Sequence, residues 1–308
     1  MAFAGFPILG ISKDCESMQK VQKIAVIIPA YNAESGLEKS VRSVLAQTLR
    51  DLEVWIVDDG SKDRTGVIAD VLAGGDSRVH VIHQKNCGCY QARLAALKRI
   101  KTPYFGFVDA DDLIEPTMYE KMLAFMECEG LDVVQCGYDI NSVVEAWEGP
   151  RGIIKGKDRI VDQYVRQMLV EGNWGGAFVW NKLYRNKYDF SLFDQTDKDT
   201  TYEDMIFNLQ FFLNVEGIGF LDEPLYHYII NAESSVSNFS WKTLHDFKEC
   251  IRVRKIMIPK YNIATAKQLN RHWMMMNVRN AVVCALRSKW TFRERMRLAY
   301  NALKLFWQ

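Results

Sequence analysis

Short β-rich runs alternate with amphipathic helical runs over residues 23–140, and this alternation limits the possible folds more than any other feature. KIAVIIPAYN (23–32) is an apolar run ended by Pro29, and LEKSVRSVLAQTL (37–49) follows it with apolar residues at helical spacing. Parallel neighbouring strands need a crossover connection, so strands that alternate with helices indicate βαβ units. The sequence therefore predicts an α/β fold with a mostly parallel sheet and helices on both faces.

The same alternation of strand and helix patterns predicts the remaining elements of the first half of the chain, and it ends near residue 145. Strands are predicted within 52–63 and at 78–84, 104–110 and 132–140, with helices at 65–74, 90–100 and 116–128. Beyond them we predict a connection (147–157), a helix (158–172), an aromatic irregular stretch (173–188), a helix (201–215), one or two strands (219–230) and a helical, basic segment from about 240.

Composition excludes several classes of protein. The 308 residues are 48% hydrophobic, which is enough for a packed core, and 39 Lys+Arg against 38 Asp+Glu leave a net charge of +1. No general field therefore attracts nucleic acid, and none is expected as a partner. The seven cysteines include no C-x-x-C pair, which favours reduced thiols in a cytosolic protein. MAFAGFPILGI lacks a basic n-region, and no stretch approaches the roughly 20 apolar residues of a membrane span, so we predict a cytoplasmic location.

Polar residues follow the predicted strands where each strand ends. In parallel α/β sheets, ligands bind beyond the carboxyl ends of the strands, so these positions predict a site. They are Pro29 to Asn32 after the first strand, Asp58 and Asp59 after the second, Gln84 and Asn86 after the third, and Asp109, Asp111 and Asp112 after the fourth.

The acidic turn after the fourth strand suits a hard cation. Asp109 and Asp111 form a D-x-D arrangement that can direct oxygens at Mg²⁺ or Mn²⁺, which commonly sits on substrate phosphates. Tyr31 could cover the face of a nucleobase, and Asp59 could accept a hydrogen bond from a base N–H. Neither G-x-x-x-x-G-K-[ST] nor G-x-G-x-x-G occurs, which argues against a P-loop kinase or a dinucleotide-dependent dehydrogenase. Together these features predict a site for a nucleotide diphosphate.

Four ordered motifs carry a family resemblance: IPAYNAE, WIVDDGSKDRTGVI, NCGCYQARLAALKRIKTPYFGFVDADDLIEPTMYEKM and YEDMIFNLQFFL. Over roughly residues 23–230 the chain resembles the family 2 glycosyltransferases of the GT-A fold, which build bacterial surface polysaccharides and glycoconjugates. The resemblance implies an inverting transfer from a nucleotide sugar, usually a UDP-sugar, to a hydroxyl of a glycan, glycolipid or glycoprotein. It also implies Mn²⁺ or Mg²⁺ at the D-x-D.

The resemblance also implies a role for each matching residue. Asp204 of the E-D pair is the general base, with Glu203 beside it, although both could simply complement the dipole of a helix N-terminus. Asp111 is the principal metal ligand, and Asp109 faces the ribose or the metal. The donor set comprises Pro29, Tyr31, Asn32, Glu34, Asp59, Gln84, Arg93, Asp109 and Ala110, where Tyr31 stacks on the base, Asp59 reads uracil and Arg93 supplies a cation; Leu94 and Ala96 depart from the family pattern beside it.

Three further positions have both a functional and a structural interpretation. His227 matches a position that in related transferases often contacts the metal or the diphosphate. Trp174, Trp180 and Lys182 could line an acceptor pocket, because sugar faces stack on aromatic rings, but core packing explains the aromatics equally well. Asp58 is expected to support its turn through backbone N–H groups.

The predicted organisation has three parts: a flexible lead-in (1–22), a GT-A domain (23–235) and a helical extension (236–308). The last helix interleaves apolar and basic residues, which is compatible with peripheral contact to the inner face of the plasma membrane, with homo-oligomer formation or with packing on the domain. Two alternative functions stay open. One is a sugar-1-phosphate nucleotidyltransferase, which would carry an N-terminal glycine-rich loop, and the other is a non-catalytic nucleotide-sugar-binding or assembly protein.

Overall fold

A ten-stranded mixed sheet runs through the described part of a computed structural model of the chain. Its strands are β1 (Ile24–Ala30), β2 (Leu52–Asp58), β3 (Val79–His83), β4 (Tyr104–Phe107), β5 (Leu113–Ile114), β6 (Val133–Ile140), β7 (Val143–Val144), β8 (Gly152–Lys155), β9 (Lys182–Arg185) and β10 (Gly217–Tyr228). The structure describes residues 24–144, 149–170, 174–190, 193, 202–230, 252, 254–261, 275 and 293.

The sheet is mostly parallel, as the sequence predicts. The strand order is β3-β2-β1-β4-β9-β6-β10-β5, with β7 paired to β6 and β8 paired to β10. β1, β2, β3 and β4 are parallel to their neighbours in this group, and β6 is parallel to β10. β9 lies antiparallel between β4 and β6, so the two parallel groups share one direction. Their carboxyl ends therefore meet along one edge of the sheet.

Helices cover both faces of the sheet. They are α1 (Leu37–Leu45), α2 (Thr65–Gly75), α3 (Cys89–Leu97), α4 (Met118–Glu129), α5 (Lys157–Ile160), α6 (Arg166–Val170), α7 (Trp174–Ala177) and α8 (Glu203–Phe211). Successive side chains of β1 point to opposite faces and therefore belong to two hydrophobic clusters. Ile24 and Val26 pack with residues of α1, α2 and α4 on one face, whereas Ala25 and Ile27 pack with residues of α3 and α8 on the other.

Two expectations for the second half of the chain are wrong. The stretch 173–188, predicted to be irregular, contains β9, whose Lys182, Leu183 and Tyr184 are all buried. A four-residue strand buried on both faces shows no alternation of polar and apolar residues, so its sequence carries no strand signal. The predicted connection 147–157 contains β8, which pairs antiparallel with β10.

The remaining predictions for this half are closer to the structure. The predicted helix 158–172 corresponds to α5 and α6, with a π-helical turn at Val161–Val165 between them. The predicted stretch 219–230 lies in the single strand β10 up to Tyr228, and the register of this strand shifts on both sides of Pro224. Proline lacks the N–H that a regular ladder needs, which explains an irregularity at this position.

Several predictions fall on residues outside the described part of the chain. The lead-in 1–22 lies there, and so does the extension 236–308 apart from residues 252, 254–261, 275 and 293; its membrane and oligomer interpretations stay predictions. Within the described residues, no helix combines the length and apolar character needed to cross a bilayer. Among the described residues, Cys87, Cys89, Cys128 and Cys136 form no disulfide.

Candidate active site

The loops after β1 and β2 are joined by hydrogen bonds at the carboxyl edge of the sheet. The N–H of Asn32 donates to Ser61 Oγ (3.0 Å), and Asn32 Oδ1 accepts from the N–H of Lys62 (2.8 Å). Glu34 Oε2 accepts from the N–H of Arg64 (2.9 Å). Asn32 has a φ of 51°, a left-handed conformation that asparagine tolerates better than most residues. Asn32 and Glu34, both predicted to bind donor, therefore shape the loops.

The residues at either end of this first loop differ in exposure. Pro29 is buried within β1, where it lies opposite Val57 of β2 and past the last residue pair of β1 with β4. The side chain of Tyr31, by contrast, is 47% exposed. Of Pro29 and Tyr31, both predicted to contact the donor, only Tyr31 is exposed to solvent.

The carboxylate of Asp59 organises the loop that leads into α3. Asp59 is buried, and its Oδ1 accepts from Gln84 Nε2 and from the N–H of Cys87, both at 2.8 Å. Its Oδ2 accepts from the N–H of Gly88, also at 2.8 Å. Gly88 has a φ of +86°, a conformation that favours glycine. The structure thus brings together Asp59 and Gln84, two predicted donor residues. Asp59 Oδ2 accepts one of the two hydrogen bonds that a carboxylate oxygen can accept.

Asp58 supports its own turn, as the sequence predicts. Its Oδ1 accepts from the N–H of Ser61 (3.0 Å), and its Oδ2 lies 3.0 Å from His83 Nδ1. The other ring nitrogen of His83 lies 3.0 Å from Asp70 Oδ1. These two carboxylates raise the pKa of His83 above its ordinary value.

The acidic turn after β4 is fixed by contacts to its backbone. The N–H of Asp109 donates to Tyr226 Oη (3.1 Å), and Ser40 Oγ donates to the carbonyl of Asp109 (3.0 Å). Gly36 fits closely against the turn, since a Cβ there would lie 2.8 Å from the carbonyl oxygen of Ala110. Ala110 is buried, whereas Asp111 is exposed at the tip of the turn. The turn therefore directs the Asp111 side chain outward.

Asp112 has a structural role that the sequence analysis missed. Its Oδ2 accepts from Tyr226 Oη (2.7 Å) and its Oδ1 from the N–H of Ile229 (2.8 Å), which ties the turn to the end of β10. Burial and the nearby charge of Asp109 raise the pKa of Asp112 to about 8. The sequence analysis also missed Tyr226. Its position next to His227 in LYHYII is a signal that could have identified it as a site residue.

Arg93 lies between the acidic turn and the first turn of α8. Its side chain is 3% exposed, and its guanidinium carbon sits 5.5 Å from the centre of the Phe107 ring. Nη2 donates to Asp109 Oδ1 at 3.0 Å, and Nη1 donates to Asp204 Oδ1 at 2.5 Å. One buried cation from α3 thus joins two carboxylates that are far apart in the sequence.

The E-D pair begins α8 and faces this cation. The second oxygen of Asp204 accepts from the N–H of Val179 (3.2 Å), and Glu203 Oε1 lies 3.8 Å from Arg93 Nη1. Burial and the charge of Asp204 raise the pKa of Glu203 to about 8, and burial raises that of Asp109 to about 6. The side chains of Glu203 and Asp204 are still 21% and 19% exposed. Both carboxylates therefore remain accessible from the edge of the sheet.

His227 is engaged by two carboxylates in this structure. Its Nδ1 lies 2.5 Å from Asp139 Oδ2, and its Nε2 lies 3.1 Å from Glu115 Oε1. Within the described residues, no group of three or more His, Cys, Asp or Glu side chains is arranged to hold a metal ion. The predicted set of Asp109, Asp111 and His227 is therefore not a preformed metal cage.

The carboxylates nevertheless suit a cation that arrives with its substrate. Mg²⁺ is usually bound by one or two carboxylates together with waters and substrate phosphates, not by a cage made wholly of protein. Asp111 is exposed, and the side chain of Asp109 is 28% exposed with its Oδ1 on Arg93. Two hard oxygen ligands beside an open edge fit that pattern.

The predicted acceptor residues are largely buried. Trp180 is 3% exposed and stacks on Tyr226 and Phe178, with ring centres 4.3 Å and 4.6 Å apart. Lys182 is fully buried, and burial lowers the pKa of its amine to about 7. Trp174 belongs to α7, and its side chain lies outside the described atoms. Trp180 and Lys182 therefore present no surface to an acceptor in this structure, and packing explains them better.

Comparison with known proteins places the chain in a family. The model of Glycosyl transferase family 2 matches residues 25–195, which is more than half of the sequence and includes the loops and the acidic turn described above. The chain belongs to glycosyl transferase family 2. It is 35% identical over 220 residues to the uncharacterized glycosyltransferase EpsJ of Bacillus subtilis (strain 168), a match that covers 68% of this chain and 62% of EpsJ.

Solved structures share the architecture. Staphylococcus aureus TarS 1–349 in complex with UDP-GlcNAc superposes with a TM-score of 0.70 at 20% identity, covering 92% of this chain and 80% of the TarS chain. The mannosyltransferase PcManGT of Pyrobaculum calidifontis, in complex with GDP-Man and Mn²⁺, gives a TM-score of 0.55 at 13% identity, covering 93% and 81%. These likenesses establish the GT-A fold of this chain, as the sequence predicts.

Proposed function

We propose that this protein is a metal-dependent, inverting glycosyltransferase that moves a sugar from a UDP-sugar to a hydroxyl of a glycan, glycolipid or glycoprotein. Membership of family 2 supports sugar transfer from a nucleotide sugar. The observation that carries the proposal is the arrangement around Arg93, which brings Asp204 of α8 next to Asp109 of the acidic turn. A carboxylate beside a predicted cation site is what a single-displacement transfer needs.

Asp204 is the proposed general base. An acceptor hydroxyl is a poor nucleophile until a base takes its proton during attack on the anomeric carbon. Attack from the face opposite the leaving group inverts the configuration of that carbon. The contacts of Asp204 with Arg93 and with the N–H of Val179 hold the carboxylate in place at the edge of the sheet. Glu203, next to it in the first turn of α8, lies 3.8 Å from Arg93 Nη1.

Asp111 and Asp109 are the residues that would hold Mn²⁺ or Mg²⁺. A bound cation supplies Lewis acidity that neutralises the charge developing on the departing diphosphate. The exposed position of Asp111 at the acidic turn supports this assignment. His227 would join the cation or the diphosphate only by giving up Asp139 or Glu115.

The donor nucleotide is proposed to bind over the loops after β1 and β2. Tyr31 offers an exposed ring on which a base can stack, and Asp59 has one unused acceptor position for a base N–H. TarS, which shares the fold, was solved with UDP-GlcNAc and with UDP, whereas PcManGT was solved with GDP-Man. A single acceptor position matches uracil, whose one N–H donor is the ring N3–H, whereas guanine presents its ring N1–H together with an exocyclic amine.

Turnover of a panel of UDP-sugars in the presence of Mn²⁺ tests the proposal, with release of UDP as the readout. We expect at least one UDP-sugar to be consumed, and we expect Asp204→Asn to slow that reaction by about 100-fold or more, since general acid–base catalysis typically contributes 10²–10⁴-fold. Asp162→Asn is the matched control, because Asp162 is an exposed carboxylate paired with Arg166 and lies away from the site.

Two outcomes would contradict the proposal. Failure of the wild-type protein to turn over any nucleotide sugar, with UDP still bound, would favour a non-catalytic binding protein. Equal turnover by the wild-type protein and by Asp204→Asn would remove Asp204 from the base role.

A further inference from the structure

The side chain of Arg93 is enclosed by the protein and its two terminal nitrogens are already committed. Nη1 donates to Asp204 and Nη2 to Asp109, the side chain is 3% exposed, and the guanidinium lies over the ring of Phe107. A residue that grips the donor diphosphate would direct a free N–H fork toward the open edge of the sheet. Arg93 instead directs its fork at two carboxylates of its own chain.

The guanidinium is well suited to fix the geometry of these carboxylates. It is planar, it remains charged, and its donors have a fixed separation. Because the two contacts use different nitrogens, the positions of Asp204 and Asp109 are linked through one rigid group. The ring of Phe107, at the end of β4, supports the plane of that group.

Asp204 is held at both oxygens. Arg93 donates to Oδ1, and the N–H of Val179 donates to Oδ2. Val179 is itself fully buried, so its backbone is a fixed reference. If Arg93 were removed, one oxygen would lose its partner and the carboxylate could rotate about the bond to its Cβ.

We infer that Arg93 is a positioning residue that sets the distance and orientation of Asp204 relative to Asp109, and that it does not bind the donor. The inference rests on the proposed function, since it treats Asp204 as the base. It also corrects the expectation that Arg93 supplies its charge to the donor. Displacements of about 1 Å in a reacting group can reduce a rate by about 100-fold, so a positioning residue affects kcat more than donor affinity.

Lysine cannot replace this arrangement. An ammonium group is a compact point charge without a planar fork, so it can keep a positive charge near one carboxylate but cannot hold both in register. Arg93→Lys therefore keeps a positive charge at this position but removes the planar fork that holds both carboxylates. We expect it to reduce kcat by about 100-fold while the Kd for UDP in the presence of Mn²⁺ changes by less than about threefold, which corresponds to less than about 0.7 kcal/mol.

Arg185→Gln is the matched control. Arg185 also lies over an aromatic ring of β4, with its guanidinium carbon 5.3 Å from the centre of Tyr104, and it also pairs with carboxylates, but at the opposite end of the strand. We expect this variant to lower the melting temperature while kcat stays within about twofold. An equal fall in kcat for both variants would show that Arg93 is only a structural residue. A tenfold rise in the UDP Kd of Arg93→Lys with unchanged kcat would show that Arg93 binds the donor.

A second readout does not depend on turnover. Arginine side-chain NMR resolves the terminal nitrogens of a guanidinium whose rotation is restricted by hydrogen bonds. We expect resolved Arg93 signals in the wild-type protein that average in Asp204→Ala, which removes the acceptor, and that change little when UDP and Mn²⁺ are added to the wild type. Signals that are unchanged in Asp204→Ala would overturn the inference even in a protein without transferase activity. Absence of turnover, together with resolved signals that depend on Asp204, would instead overturn the proposed function alone.

Discussion

An arginine lies over an aromatic ring at each end of β4, but the two ends differ in the ratio of cations to carboxyl groups. At the amino end, Arg185 lies over Tyr104, and Lys187 donates to Asp132 Oδ1 at 2.6 Å. Arg185 also lies 3.6 Å from Glu127 Oε1 and 3.8 Å from Asp132 Oδ1. Two cations thus face two carboxylates, and the backbone N–H of Glu216 completes the bonding of Asp132.

The carboxyl end has more carboxyl groups than cations. Asp109, Glu203 and Asp204 lie within 3.8 Å of one guanidinium, that of Arg93, which lies over Phe107 as Arg185 lies over Tyr104. Asp111 and Asp112 follow Asp109 in the acidic turn. Burial and neighbouring carboxylates raise the pKa values of Asp109, Asp112 and Glu203.

The difference indicates that the charged residues at the amino end are structural and those at the carboxyl end are functional. The ion pairs at the amino end are balanced in the folded chain. Like charges at a partly exposed edge instead destabilise the fold, and a bound cation can offset that cost. The amino end should therefore respond to mutation through stability alone. The carboxyl end should respond through ligand binding, catalysis and pH.

The largest expected effects come from removing one structural carboxylate at each end. Asp132→Ala leaves the N–H of Glu216 and the amine of Lys187 without their acceptor, and Asp112→Ala does the same for Tyr226 Oη and the N–H of Ile229. Each should lower the free energy of unfolding by about 1–3 kcal/mol for each buried group left unpaired, measured by chemical denaturation.

Only the change at the carboxyl end should also weaken UDP binding. Asp112→Ala releases the acidic turn from β10, so we expect the Kd for UDP with Mn²⁺ to rise by about tenfold, or about 1.4 kcal/mol. Asp132→Ala should leave that Kd within about twofold. If both variants weakened UDP equally, the two ends would not differ in function.

A smaller effect should appear in the pH dependence of stability. The pKa of Glu203 is raised from 4.5 to about 8, so the folded state holds a proton that the unfolded state has lost between these values. Stability from this group is present below about pH 4.5 and is lost as the pH rises toward 8. Glu203→Gln cannot ionise, and in metal-free buffer its free energy of unfolding should exceed that of the wild type at pH 8 by on the order of 2 kcal/mol.

The two proteins should have similar stability near pH 4.5, and the gap should widen as the pH rises. Denaturant melts at four or five pH values in the presence of a chelator measure it. Parallel curves for the wild type and for Glu203→Gln would show that Glu203 does not carry the proton.

The smallest effect is expected for a charge pair that belongs to neither end. Arg42 and Glu38 form an exposed pair on α1, with side chains 67% and 56% exposed. Such pairs contribute about 0.3–0.5 kcal/mol, so Arg42→Ala should shift the melting temperature only slightly and leave UDP binding unchanged. A loss in UDP binding here would mean that charge anywhere on this face, and not the cluster at the carboxyl edge, governs the ligand.

The sequence predicts the carboxyl end better than the amino end. Strand exits are visible in a sequence because an apolar run stops at polar residues, as at Asp58 and Asp109, and all such exits in a parallel sheet share one edge. β9, with Arg185, was not predicted, because a short strand buried on both faces has no polar and apolar alternation.

The contacts within the site that the sequence does not reveal join residues far apart in the chain. The sequence identifies Arg93 as a cation among carboxylates but does not show which groups it contacts, and it gives no sign that Asp112 bonds Tyr226 across the fold. The sequence offers Trp180 and Lys182 as possible lining of an acceptor pocket, because sugar faces stack on aromatic rings, with core packing as the alternative. Their burial depends on β9 lying inside the sheet.

Calorimetric titration of UDP into the protein, with Mn²⁺ and then with a chelator, tests most directly whether the excess charge at the carboxyl edge is completed by a cation. We predict that UDP binds the wild-type protein in Mn²⁺ and that its affinity falls at least tenfold in the chelator. Asp111→Asn should bind weakly in both. Equal affinity for UDP with and without the cation, unchanged by Asp111→Asn, would contradict the assignment of this edge as a cation-dependent donor site.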